Sequence, residues 1–149
     1  MFAKKMMAGW GDMDFNSHMR NTAFLDKAGD VRMLFLSEHG FPMSEFMRLK
    51  IGPVVMKDEI AYVKEVLLLE EITVTLSLAG LADDGSRWIL RSDIVRPDGK
   101  LAARVNSTGG WLDLTERKLI APPAALMATW QSLVKTDDFQ ELPSSVKAK

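Results

Sequence analysis

From Trp10 the chain reads Trp-Gly-Asp-Met-Asp-Phe-Asn-Ser-His-Met-Arg-Asn, ending at Asn21. Asp12, Asp14, Asn16, Ser17, His18 and Asn21 crowd into this stretch, which is too polar for core and too dense in acid and base groups for an ordinary turn. A carboxylate can accept a proton or attack an electrophilic carbon, and an imidazole can move a proton near neutral pH. The segment runs directly into a helix, whose first backbone amides lack intrahelical acceptors and favour negative charge. Asp14, just before that start, is the leading catalytic candidate, with the amides behind it as donors for an oxygen that becomes negative. Asp12 precedes it by two residues and would point the same way on an extended chain; it reads as a turn former. His18 follows Asp14 by four residues and is a candidate to orient substrate or to hold the loop.

The element that positions these groups is legible from both ends. Phe24, Ala28, Val31 and Phe35 recur at helical spacing, Leu25 and Leu34 widen the stripe, and Asp26, Lys27, Asp30 and Arg32 take other faces. Asn21 or Thr22 can cap the first turn, Gly40 suits the left-handed position past the last, and Pro42 stops continuation. The helix is therefore about five turns long. A first strand over residues 2–10 delivers the polar loop to it. Met43 to Ile51 is short and mixed, and Gly52-Pro53 is expected to break it. Val54 to Val66 reads as a strand. In Glu71 to Leu78, Ile72, Val74, Leu76 and Leu78 alternate with Thr73, Thr75 and Ser77, so one side of this sheet is wet. Asp83-Asp84-Gly85 and Pro97-Asp98-Gly99 are turns, between which Arg87 to Val95 and then Leu101 to Asp113 form strands of an antiparallel meander. Pro122-Pro123 opens a shorter helix with Leu126, Met127, Trp130, Leu133 and Val134 as its stripe. Residues 135–149 are polar and are expected to fray as a tail behind one domain over residues 1–134. One long helix among antiparallel strands is an α+β pattern.

The order of these features carries a resemblance. Gly11-Asp-Met-Asp14 with His18 and Asn21 at their spacings, a long helix, Ile60-Ala-Tyr62, the Pro97-Asp-Gly-Lys turn, Trp111-Leu-Asp113 and Pro122-Pro123 resemble the hotdog-fold thioesterase superfamily that contains the 4-hydroxybenzoyl-CoA thioesterases. The resemblance covers roughly residues 3–130. It implies a sheet wrapped around the central helix and hydrolysis of an acyl thioester, linked to coenzyme A or to a carrier protein. Asp14 would be nucleophile or general base, and the backbone amide of Asn21 would polarise the thioester oxygen. It further implies a homodimer or a dimer of dimers, with no metal or organic cofactor. The chain departs from the family pattern at Ser17, where Gly is usual, at Arg20 and Phe24, where Asn and Tyr are common, and at Leu69-Glu70, which replaces a Gly-Asp turn. Other hotdog thioesterases use a carboxylate on the central helix, a role for which Asp26 and Asp30 would be candidates. Met13, Met19 and Met33 read first as core filling, with an adaptable acyl pocket as the sharper alternative. Arg87, Arg91, Arg96, Arg104, Arg117 and Lys118 are the cations that could meet phosphates.

Composition narrows the classes. The chain has 149 residues, of which 47% are hydrophobic, enough for one domain with its own core. Net charge is −1 from 19 basic and 20 acidic residues, without the basic excess of a nucleic-acid surface. There is no cysteine and there are only two histidines, so thiol nucleophiles, disulfides and histidine-rich metal sites are excluded or disfavoured. The first ten residues carry Lys4 and Lys5 and no long apolar run, so a cytoplasmic protein with no membrane partner is the expectation. Two other functions compete with thioester hydrolysis. One is an acyl-thioester hydratase or dehydratase pairing Asp14 with His18. The other is an acyl-CoA-binding module without catalysis.

Overall fold

The computed structural model describes residues 1–147. Strand β1 (Phe2–Met7) leads through one 3-10 turn (Trp10–Asp12) and the polar loop into helix α1 (Asn21–Glu38), and α2 (Met43–Leu49) follows. Then come β2 (Ile51–Tyr62), β3 (Glu71–Ala82), β4 (Arg87–Val95), β5 (Leu101–Asp113), β6 (Lys118–Ile120), α3 (Ala124–Gln131) and β7 (Lys135–Leu142). The strands form one sheet in the order β1-β3-β4-β5-β2, each neighbour antiparallel to the next.

Helix α1 has the five turns its spacing predicts, 18 residues long. Ala23, Phe24, Ala28, Val31, Phe35 and Leu36 are buried against the sheet, while Leu34, expected on the stripe, is exposed. From β3 the sheet contributes Ile72, Val74, Leu76 and Leu78, all buried as the alternation requires. Trp88, Trp111 and Trp130 meet in the core with ring centroids 5.5 to 6.2 Å apart, and Phe35 of α1 stacks on Trp130 at 6.0 Å. The close approach of Trp88 is why residue 109 is glycine: a Cβ there would lie 2.3 Å from the indole and 2.4 Å from the Val54 carbonyl oxygen.

Three expectations are corrected. The break expected at Gly52-Pro53 falls earlier, at Lys50, which caps α2 at φ 56°; Gly52 and Pro53 already lie within β2, opposite Leu112 and Trp111. β2 is the edge of the main sheet, and a proline on an edge strand can keep its missing donor on the unpaired side. The strand also ends at Tyr62 and not at Val66, because the amides of Val63 and Lys64 both turn to the Ala102 carbonyl, at 2.8 and 3.0 Å. Nor does the polar tail fray from Lys135. β7 lies parallel to β3, pairing Gln140, Glu141 and Leu142 with Gly80, Leu81 and Ala82, beyond the part of β3 that β1 covers. A domain ending at 134 would cut through this sheet. Main-chain pairing needs no apolar face, so its polar sequence hid the strand. Arg91 clasps Asp138 at 2.9 Å and holds that carboxyl down at about 2, chiefly through the hydrogen bond. Ser144 and Ser145 then bond to Asp84, Ser86 and Arg87 at the β3–β4 turn. The tail's Ala148 and Lys149 lie outside the described residues.

Candidate active site

The loop before α1 is built around the Asp14 carboxylate. One oxygen accepts hydrogen bonds from the amides of Asn16 (2.8 Å) and His18 (3.4 Å), and the other lies 3.1 Å from Nδ1 of His18. The Asp14 amide donates to the His18 carbonyl at 2.8 Å, and the Ser17 amide to the Asp14 carbonyl at 3.3 Å, so the turn closes on itself. Ser17 adopts φ 67° in the left-handed region. That is a conformation glycine takes without penalty and that costs other residues about 1–2 kcal/mol. Asp14 and His18 remain 27% and 33% exposed, open enough to meet a substrate.

Asp12 does not share this position. The 3-10 turn rotates it away, so it accepts the Gly9 amide at 2.8 Å and pairs with Lys27 at 3.1 Å. Burial pushes its carboxyl up, but the Gly9 amide and Lys27 outweigh that and hold it below the ordinary value. Asp12 is thus a strap between loop and helix. Arg20 is a second strap: it donates to the Gly11 carbonyl and to the Thr22 hydroxyl (3.0 Å), and it approaches Asp26 at 3.6 Å.

The start of α1 differs from the capping expected of Asn21 or Thr22. Arg20 is the N-cap, extended at φ −68° and ψ 153°, and no side chain caps the helix. Asn21 is therefore the first helical residue, and its amide is left at the head of the helix. Asp14, His18, Met19, Asn21, Phe24, Tyr62, Val63, Lys64 and Glu65 line one cavity of about 480 Å³. The structure thus brings Asp14, His18 and Asn21 together. Asp26 and Asp30 are absent from this lining; Asp26 faces Arg20, and Asp30 borders a different groove beside Met6, Met7 and Met33. Of the three methionines considered, only Met19 reaches the cavity, while Met13 and Met33 pack against the core. None of the six cations considered lines it.

Four lining residues, Tyr62, Val63, Lys64 and Glu65, escaped the reading of the sequence as site residues. Tyr62 donates from its hydroxyl to the Asn21 carbonyl at 3.1 Å and packs edge-on against Phe24 at 5.5 Å. Its signal was the Ile60-Ala-Tyr62 triplet. Lys64 has no such signal; it is a cation placed at the cavity by the end of β2. Among the described residues no three histidine or acidic side chains gather as metal ligands, and no helix is long and apolar enough to cross a membrane.

The comparisons with known proteins agree with this geometry. A family model described as thioesterase-like superfamily matches residues 8–130. The chain belongs to the thioesterase-like superfamily. That range takes in the Asp14 loop, the central helix and the whole meander, and the fold of the superfamily, the hotdog, is the one seen here. Among solved structures, a hypothetical protein from Staphylococcus aureus in complex with CoA superposes with TM-score 0.82 at 21% identity, over 99% of this chain and 92% of that one. A 1,4-dihydroxy-2-naphthoyl-CoA thioesterase from Synechocystis gives 0.79 at 16% identity, over 89% and 96%. The gentisyl-coenzyme A thioesterase BH1999 gives 0.75 at 19%, over 83% and 98%. No curated protein matches the chain in sequence.

Proposed function

We propose that this member of the superfamily hydrolyses acyl thioesters of coenzyme A, with Asp14 as the reacting carboxylate. The observation that carries the reading is that Asp14 and the uncapped head of α1 at Asn21 line one cavity, a carboxylate and an amide donor around the space a carbonyl needs. The thioester oxygen takes its hydrogen bond from the Asn21 amide. Asp14 either removes a proton from water, whose oxygen then adds to the carbonyl carbon, or adds itself to form an anhydride that water opens. In both routes the C–S bond breaks, thiol leaves and a carboxylic acid is released. His18, 3.1 Å from Asp14, holds that carboxylate in place. Phe24, Tyr62, Val63 and Met19 supply the apolar wall for the acyl group, and Lys64 is the cation at hand for the phosphates. Coenzyme A is the carrier to test first, because a structure of the same fold was solved with it.

The working unit in this proposal is a homodimer. Among the described residues β2 pairs with β5 alone and leaves its other side free, and Val55, Met56, Tyr62 and Val63 are exposed along it and at the cavity. A second copy laid on that edge would bury them and close the cavity.

Release of free thiol from short, long and aromatic acyl-CoA substrates tests the proposal, with single turnover in ¹⁸O-water to separate the two routes. Label in Asp14 after one turnover marks the nucleophile; label only in the product arises from the base and equally from an anhydride opened at its substrate carbonyl, and capture of the acyl-enzyme by hydroxylamine separates these two. A second reading, hydration of an enoyl thioester, draws on the Asp14–His18 contact. Loss of enoyl absorbance without thiol release would select it. Tight acyl-CoA binding without either reaction would make the protein a binding module.

A further inference from the structure

A second cavity, of about 720 Å³, is larger than the one that holds Asp14. It opens where the C-terminal segment passes over the end of β5 and β6, and nothing in the proposed chemistry uses it. Its wall is apolar: Leu112, Leu119, Ile120, Ala121 and Val146. Its polar lining is Arg117, Lys118 and Lys147 together with Ser145, whose hydroxyl oxygen accepts from Nε of Arg87 at 3.1 Å. Among the described residues, no acidic and no aromatic side chain lines it.

Two features indicate that this is a built cavity. The segment forming one wall is pinned: the Ser145 amide donates to the Ser86 hydroxyl at 2.8 Å, and Ser144 bonds to both Ser86 and Asp84. On the facing side Arg117 holds φ 57°, a left-handed conformation that an arginine adopts at a cost. It caps a turn in which the Asp113 carboxylate takes the amides of Thr115 and Glu116, each at 2.9 Å, leaving the cations of Arg117 and Lys118 free of any carboxylate within ion-pair distance among the described residues.

We propose that this cavity binds an amphiphilic carboxylate, a medium- or long-chain fatty acid anion, with its chain against the leucines and its head between Arg117 and Lys118. The volume suits such a ligand. Cations with no carboxylate within ion-pair distance among the described residues favour an anionic head. The absence of an aromatic platform among the described lining residues disfavours a nucleotide. Within one protomer the cavity is also not an arm of the candidate active site. Tyr62 lies opposite Ala103, and Leu112 is nine residues further along β5, roughly 30 Å at about 3.3 Å per residue. The proposal does not depend on the hydrolase reading, although a free acid is what that reaction would release.

Calorimetric titration with decanoate at monomeric concentrations tests it, with decyltrimethylammonium as the probe of opposite charge. Wild type should bind decanoate and not the cation. The double variant Arg117→Glu, Lys118→Glu should weaken decanoate binding by about tenfold or more, as reversal of charge-assisted contacts does. Val146→Trp, which fills the cavity from the pinned segment, should do the same without changing any charge. Saturation with decyl-CoA, a thioether that cannot be hydrolysed, should leave the decanoate isotherm intact. No binding to wild type, equal binding of both amphiphiles, or unchanged affinity in both variants would overturn the proposal. Displacement of decanoate by decyl-CoA would instead assign the fatty acid to the Asp14 cavity and equally overturn it. Failure of decyl-CoA to bind, with decanoate still bound, would count against the hydrolase reading alone.

Discussion

At the scale of single residues, the proposed chemistry rests on a carboxylate and one backbone amide. Asp14→Asn keeps the size and the two accepted amide bonds but removes the basic oxygen, so turnover should fall by about 10²-fold or more, with substrate affinity little changed. Asp26→Asn and Asp30→Asn should leave turnover near wild type, since neither lines the Asp14 cavity. The reverse pattern in a thiol-release assay would move the site onto the helix. Asn21→Pro addresses the amide directly. Position 21 is the first helical residue, where proline is well tolerated, and Arg20 already has the extended backbone that a residue before proline requires. The variant should fold and lose about 10²–10³ in turnover. Asn21→Ser, which keeps the amide, should retain most of it. A folded Asn21→Pro enzyme with wild-type turnover would remove that amide from the mechanism. Asp12 makes a different prediction. Its folded carboxyl is held below its ordinary 3.8, so its stabilising contribution is complete above that value and is lost as pH falls through the lower folded one. Asp12→Asn should therefore lower Tm at neutral pH, and the deficit should shrink at acid pH. A deficit independent of pH would assign the effect to packing.

At the scale of elements, two loop residues carry backbone cost. Ser17 and Leu69 stand where the family resemblance leads one to expect glycine, and both adopt φ 67°. Leu69 is 64% exposed, so its side chain contributes little burial, and asparagine tolerates the left-handed region better without glycine's entropy. Leu69→Asn should stabilise by about 1 kcal/mol, or about 2–4 °C in Tm for a chain of this size. Gly109→Ala should do the opposite. Its Cβ would collide with Trp88 and with the backbone oxygen of Val54, and overpacking of that kind costs about 1–3 kcal/mol or more. Thermal melts of the two variants should therefore shift in opposite directions.

At the scale of the whole molecule, the free side of β2 is the feature that a monomer leaves unresolved. A twelve-residue edge with Val55, Met56 and Tyr62 exposed is a template for pairing, and it ends at the mouth of the candidate site. Light scattering at micromolar concentration should give twice the chain mass or a multiple of it. A compact monomer with full activity would show that the cavity needs no second copy.

The sequence by itself determined what is local and periodic. The length of α1 followed from apolar residues at helical spacing between a polar start and Gly40, and the buried face of β3 followed from strict alternation. The turns at Gly85 and Gly99 were legible because glycine stood where φ is positive, 75° and 83°. Asp14 stood out because its residue types and spacing are themselves the signal. Only the tertiary structure decided which of the crowded polar groups share a cavity. Asp12 and Asp14 separate because one 3-10 turn rotates the chain between them, a difference of a few dihedrals that composition does not encode. Tyr62 reaches Asn21 across 41 positions of sequence because the end of β2 comes up beside the first turn of α1. β7 was invisible because a ladder is made by backbone groups that every residue carries, and its polar side chains gave no alternation to read.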